Sequence, residues 1–141
     1  MKQTPAYERI AAVAAALLCA AVAVIHVQDQ GGFPGDKTPG YVGIGYYLLE
    51  VVGILVAVVL VFRPSRRMWF LAAGVGLGPL VGFVLSRGPG LPDYTDDVGN
   101  WTEPLAVISV VVEVVLIVVA AAMYVLRHKR TERLATASSA H

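Results

Sequence analysis

Residues 46–63 read YYLLEVVGILVAVVLVFR, an apolar run with Glu50 inside it. Residues 111–127 read VVEVVLIVVAAAMYVLR and hold Glu113 in the same way. Neither run alternates, and each is too long for an ordinary strand, so both predict helices; an apolar helix needs about 20 residues to cross the hydrocarbon of a bilayer. Two further segments meet the same length, giving expected spans at 10–27, 41–62, 68–86 and 104–126. The predicted fold is therefore all-α: a membrane bundle of four transmembrane helices forming one domain over 1–130. A disordered cytoplasmic tail is expected over 131–141.

Composition agrees. The chain has 141 residues, 57% of them hydrophobic and only 15% charged, with a mean hydropathy of +0.68. A soluble domain of this size has no interior large enough for that much apolar surface. A formal net charge of +1 gives no basic surface for nucleic acid. The one cysteine, Cys19, rules out an internal disulfide, a CxxC redox pair or an Fe–S cluster held by this chain alone. Haem with two axial histidines inside the bundle is disfavoured, because His128 and His141 fall beyond the last span.

Orientation follows from the basic residues. Lys2, Arg9, Arg63, Arg66, Arg67, Arg127, Lys129, Arg130 and Arg133 fall on one side, and only Lys37 and Arg87 on the other. The positive-inside rule then puts both termini and the RPSRR turn (63–67) in the cytoplasm and the acidic segments 28–40 and 87–103 outside. Richness in Ala, Val, Gly and Arg fits a high-GC bacterial genome, so the expected location is the plasma (inner) membrane. Lys2 and Arg9 resemble the basic start of a signal peptide, with AVA at 21–23 as a cleavage site, but the first segment is read as a retained span.

The two outer segments read alike: GFPGDKTPGYVG at 32–43 and GLPDYTDDVG at 90–99. Each precedes a span containing a Glu-Val-Val triplet and ending in Arg, as two tandem helical hairpins would.

A carboxylate within a span is costly unless it faces the bundle interior and finds a partner. Helical spacing puts Gly43, Tyr46, Glu50 and Gly53 on one face, Ala106, Ser109 and Glu113 on another, and Cys19 with His26 on a third. Glu50 and Glu113 both lie about 15 Å from the outer helix ends at about 1.5 Å per residue. The candidate ligand or proton site is therefore Glu50, Glu113, His26, Arg87, Tyr46, Ser109 and Glu103, in an outward-facing polar pocket above a plain cytoplasmic half. Each also has a structural role open to it: Glu50 bonded to Tyr46 or Tyr47 or paired with Arg87, Glu113 bonded to Ser109, Arg87 as a loop staple, and Glu103 as a helix-start acid before Pro104. Tyr41, Tyr46, Tyr47 and Trp101 fit an aromatic belt. Gly74, Gly78 and Gly82 form a small-residue stripe suited to close helix packing or a homodimer, and Pro79 is expected to kink the third helix.

SRGPGLP at 86–92, followed by WTEPLAVISVVVE at 101–113, resembles a group of small bacterial four-span membrane proteins that read Ser-Arg-Thr-x-Gly-Leu-Pro, then Trp-x-Glu-Pro-Leu-Gly, a Ser and a Glu. This chain has Gly88 where that group has Thr and Ala106 where it has Gly. The resemblance implies a four-span fold and points to the same residues; it implies no chemistry. A looser resemblance to DoxX-like membrane proteins rests on span number.

Three functions fit these residues. The first is binding or movement of a small ligand, cation or proton at the carboxylates; two carboxylates and an imidazole also make a conceivable divalent-metal set, though without a ligand motif. The second is a structural or assembly subunit of a larger envelope complex. The third is an enzyme using paired glutamates on a lipophilic substrate.

Overall fold

The computed structural model describes residues 4–139, so Lys2 and His141 lie outside the described residues. Four helices follow one another: α1 (Ala6–Asp29), α2 (Gly40–Phe62), α3 (Arg66–Arg87) and α4 (Pro104–Ser139). All four are long and apolar enough to cross a membrane. The chain is a small multi-pass integral membrane protein built as an all-α four-helix bundle. Among the described residues the only extended pairing is an isolated bridge between Leu91 and Tyr94.

Local chemistry sets each helix end. At the end of α1, Gly31 and Gly32 have φ of 87° and 119°. Their N–H groups return to the carbonyls of Gln28 and Val27, a Schellman closure that glycine permits without strain. Pro64 cannot continue α2, and Ser65 caps α3 by accepting from the Met68 N–H at 3.3 Å. Pro104 opens α4, where its missing N–H costs nothing.

The helices pair most extensively as α1 with α2 and α3 with α4, and α1 against α4 joins the two hairpins. Their shared core sits in the half nearer the short 63–65 turn. Ala12, Ala15, Cys19 and Val22 of α1 meet Val56 and Leu60 of α2, Trp69, Ala72 and Val75 of α3, and Leu116, Ala120 and Met123 of α4. Small residues set the spacing. The Cβ position of Gly53 is 3.4 Å from the Cys19 carbonyl. At Gly76 the approach is tighter: a Cβ there would stand 2.8 Å from the Glu113 carbonyl and 2.9 Å from the Ile117 side chain. The exposed surface holds Ile10, Leu17, Ile44, Leu55, Phe70 and Val118, an apolar girdle facing where lipid would be.

The stripe at Gly74, Gly78 and Gly82 does not make the contact between α3 and its neighbours in the chain. A Cβ at any of the three meets nothing within 4 Å, and Gly76 does the close packing instead. α3 runs through Pro79 as one helix.

The half near the 63–65 turn is not plain, as the sequence reading had it. Glu8, in the first turn of α1, is only 2% exposed. Its carboxylate accepts from Arg127 of α4, which also donates to the Pro64 carbonyl. Arg130 stands 4.0 Å away on the other oxygen. One cluster thus ties together α1, the 63–65 turn and α4. The expected disordered tail also differs: α4 continues to Ser139. Residues 131–139 contain Glu, Arg, Leu and Ala, and neither Gly nor Pro, so nothing in the sequence stops the helix. Thr131 bonds back to the Arg127 carbonyl and His128 faces Glu132 at 3.1 Å along the same stretch.

Gly76→Ala will destabilise the bundle by about 1–3 kcal/mol despite alanine's better helix propensity, because the added methyl meets α4 backbone. Gly74→Ala, into open space, will be neutral or stabilising by up to about 1 kcal/mol. Denaturant titrations of both variants in mixed micelles, followed by circular dichroism, will read the difference.

Candidate functional site

Above the core, towards the end that carries the 30–39 and 88–103 connections, the four helices separate around a cavity of about 240 Å³. Its wall is largely apolar, from Ile25, Leu49, Phe83, Leu91, Leu105 and Val110 among others. Its polar groups come from every helix: His26 and Asp29 from α1, Tyr46 from α2, Ser86 and Arg87 from α3, Ser109 and Glu113 from α4, with Tyr94 from the 88–103 connection.

Glu113 stands at the boundary between core and cavity. It is 1% exposed. Its Oε1 accepts from Ser109 Oγ at 2.5 Å, the hydrogen bond one helical turn apart that the spacing predicts. Its Oε2 is buried without any hydrogen-bond partner. His26 engages the Val22 carbonyl through Nδ1 at 2.9 Å. A carbonyl only accepts, so Nδ1 holds a proton; in the neutral ring Nε2 then presents a lone pair, and no hydrogen bond to it is formed among the described residues. The ring packs edge-on to Tyr46, 5.1 Å between centroids.

Around the mouth, charges and phenols form one chain of contacts. Tyr46 donates to Asp29. Lys37 pairs with the same carboxylate oxygen at 3.0 Å and reaches the Tyr94 hydroxyl at 3.4 Å. Tyr94 donates to Asp97 at 2.8 Å, and Asp97 faces Arg87 at 3.7 Å. Arg87 then binds Glu103 at 2.6 Å, the Asn100 carbonyl at 2.8 Å and Ser86 Oγ at 3.3 Å. Tyr41 adds a bond to the Pro92 carbonyl at 2.6 Å. The two long connections are thereby latched to each other across the cavity mouth.

Of the seven candidate residues, His26, Arg87, Tyr46, Ser109 and Glu113 line the cavity. Glu103 does not line it; it anchors the loop to Arg87. Glu50 is buried but not among the lining residues. Its Oε1 accepts from Gln30 Nε2 at 2.7 Å, and its partner is neither Tyr46, Tyr47 nor Arg87. The reason lies in the connection: α1 ends early, and Gln30 caps it at the depth of Glu50. The two glutamates therefore do not form one paired-carboxylate site. Among the described residues no group of three or more His, Cys, Asp and Glu is placed to hold a metal ion, so Glu50, Glu113 and His26 do not make the metal set considered above.

The tyrosines do more than mark an interface. Tyr47 both accepts from and donates to the Gly35 backbone at 3.0 Å, and Trp101 packs edge-on to Phe83 at 5.7 Å. Asp29, Lys37, Tyr94 and Gln30 were missed as site residues. Lys37 carried a signal, being one of two basic residues at its end of the bundle; the others look like ordinary loop polar groups. Comparison with protein-family models, with curated proteins and with solved structures gives no match.

The latch titrates at high pH. Burial alone would lower Lys37, but the hydrogen bond and charge of Asp29, helped by Tyr94, outweigh it and hold the ammonium above the ordinary lysine range. Burial and the hydrogen bond to Asp97 raise the Tyr94 phenol, against the opposing pull of Lys37. In both groups the folded state holds the proton more tightly than the unfolded chain. Their contribution is full below the ordinary ionisation range of Lys and Tyr, about pH 10, and is lost as pH rises through and above it. Acrylamide quenching of Trp101, over a constant background from buried Trp69, will stay flat from neutral pH to about 10 and rise beyond. The double variant Lys37→Met/Tyr94→Phe will lose that rise.

Proposed function

We propose that this membrane protein is a non-catalytic binding protein that takes a small molecule, cation or proton into the cavity at its long-loop end, with Glu113 as the central acceptor. The observation that supports this reading is Glu113 Oε2, a buried oxygen left without a partner at the wall of a cavity. An unsatisfied buried acceptor costs about 1–3 kcal/mol, more when charged, and a bound donor would remove that cost. Ser109 fixes the carboxylate, His26 offers a second acceptor, and Tyr46 and Arg87 organise the rim. Glu50 and Glu103 hold α1 and the second connection in register.

In this reading the protein sits in the plasma membrane with both termini in the cytoplasm and the cavity in the opposite half. The distribution of Arg and Lys supports it, with Lys37 and Arg87 both neutralised in ion pairs at the sparse end. In a Cys19→Ala background, Asp96→Cys will react with a membrane-impermeant maleimide on intact cells. Arg67→Cys will react only after lysis; the reverse pattern overturns the orientation.

A role as an assembly subunit has one observation in its favour, the open face at Gly74, Gly78 and Gly82. Native mass spectrometry of the gently solubilised chain separates the two. Binding at Glu113 gives an added mass on wild type and on Glu50→Gln that Glu113→Gln lacks. A bare chain in all three, or a second protein retained equally by all three, removes the binding reading.

A further inference from the structure

The functional groups left over at the cavity define what it can receive. The hydroxyl donors there are spent within the protein: Tyr46 on Asp29, Ser109 on Glu113 and Ser86 on the Phe83 carbonyl. The Arg87 guanidinium is turned to Asn100, Ser86, Asp97 and Glu103. What remains is Asp29 Oδ1, the Nε2 lone pair of a neutral His26 and, buried at the wall, Glu113 Oε2 without a partner. All three accept hydrogen bonds, and two belong to carboxyl groups. The complementary ligand is a donor, and a cationic one is favoured by its charge.

A second feature concerns the route. α2 and α3 are joined by the short 63–65 turn and meet where the Cβ position of Gly53 lies 3.7 Å from Val75. Further along, towards the cavity, the lining includes Gly45 on α2 and Gly78 and Gly82 on α3. A Cβ at any of these three would meet nothing within 4 Å. Gly45 and Gly78 are exposed although both line the cavity. The wall between α2 and α3 is thus missing side chains at the depth of an apolar helix surface. At the mouth, by contrast, the Lys37–Tyr94–Asp97–Arg87 latch crosses from loop to loop.

From these two observations we infer that the cavity admits a lipophilic primary amine from the bilayer, sideways between α2 and α3, seating its ammonium on Glu113 and His26 while its hydrocarbon chain lies in the gap at Gly45, Gly78 and Gly82. This deepens the binding reading and rests on it. The cavity, at about 240 Å³, is slightly below the usual range of closed ligand pockets, about 300–1,000 Å³, and suits a head group with the first part of a chain whose remainder stays in lipid. The same ammonium chemistry is found on free long-chain amines and on ethanolamine phospholipids.

The test uses the full chain in phosphatidylcholine nanodiscs, titrated with dodecylamine, ethylamine or dodecanoate, with retained ligand read by native mass spectrometry. Dodecylamine is expected to bind at least tenfold more tightly than either of the others. Glu113→Gln and Gly78→Leu will each weaken it at least tenfold, and Gly74→Leu, on the same helix but away from the cavity, less than twofold. Circular dichroism and size-exclusion profiles matching wild type will show that the variants fold. Replacing part of the phosphatidylcholine by phosphatidylethanolamine assigns the source: weaker apparent binding identifies a lipid headgroup, unchanged binding a free amine, and either supports the inference. Dodecanoate binding as tightly as dodecylamine, or Gly78→Leu leaving dodecylamine unaffected, overturns it. Ethylamine held as tightly as dodecylamine and lost in Glu113→Gln overturns the lateral route yet leaves Glu113 as a binding site. No binding of either amine overturns the inference, and if the solubilised chain is also bare, the binding reading falls with it.

Discussion

Among the glycines of the bundle, Gly76 makes the tightest approach to another helix, against the backbone of Glu113, and much of the architecture follows from it. Lipid offers a helix no hydrophobic reason to leave it for another helix, so association depends on close packing and internal hydrogen bonds. A glycine on α3 lets α4 come near enough for Leu116, Ala120 and Met123 to close the core on one side of the contact. On the other side the helices part, and the Glu113 side chain is left at the boundary between packed interior and open space. One backbone contact therefore sets both the solid half and the hollow half.

At the hollow end, cohesion comes from polar groups in place of apolar packing. Tyr46, Asp29, Lys37, Tyr94, Asp97, Arg87 and Glu103 join in sequence, drawing on three helices and both long connections. No single exposed ion pair is worth much. Here, however, Arg87 is 8% exposed and holds partners in two directions, so the network fixes geometry as well as charge.

Span number and helix class were legible because a run such as 111–127 has one physical explanation. Faces were legible too: three- and four-residue spacing put Ser109 and Glu113 together and turned Tyr46 inward. Depth relative to neighbouring helices was not. Equal distances from two helix ends made Glu50 and Glu113 look like partners, but helices need not start at the same level, and Gln30 reaches Glu50 because α1 stops short of the start of α2. The glycines misled for a similar reason. A repeat every four residues drew attention to Gly74, Gly78 and Gly82, whereas the contact that matters falls on the unrepeated Gly76. Glu8 was indistinguishable in sequence from a solvated helix-start acid, since its partner lies on the last helix.

That last pairing bears on how the molecule is made. Glu8 lies on α1 and Arg127 on α4, so of these four helices the pair joins the one made earliest to the one made latest. Until α4 is in place the buried carboxylate has no guanidinium to face, and a buried charge without its counterion is strongly destabilising. The first three helices without α4 thus leave Glu8 lacking its guanidinium partner. Docking of α4 supplies that partner and at the same stroke fastens the 63–65 turn through Pro64, so pairing of the acid and closure of the bundle become a single event.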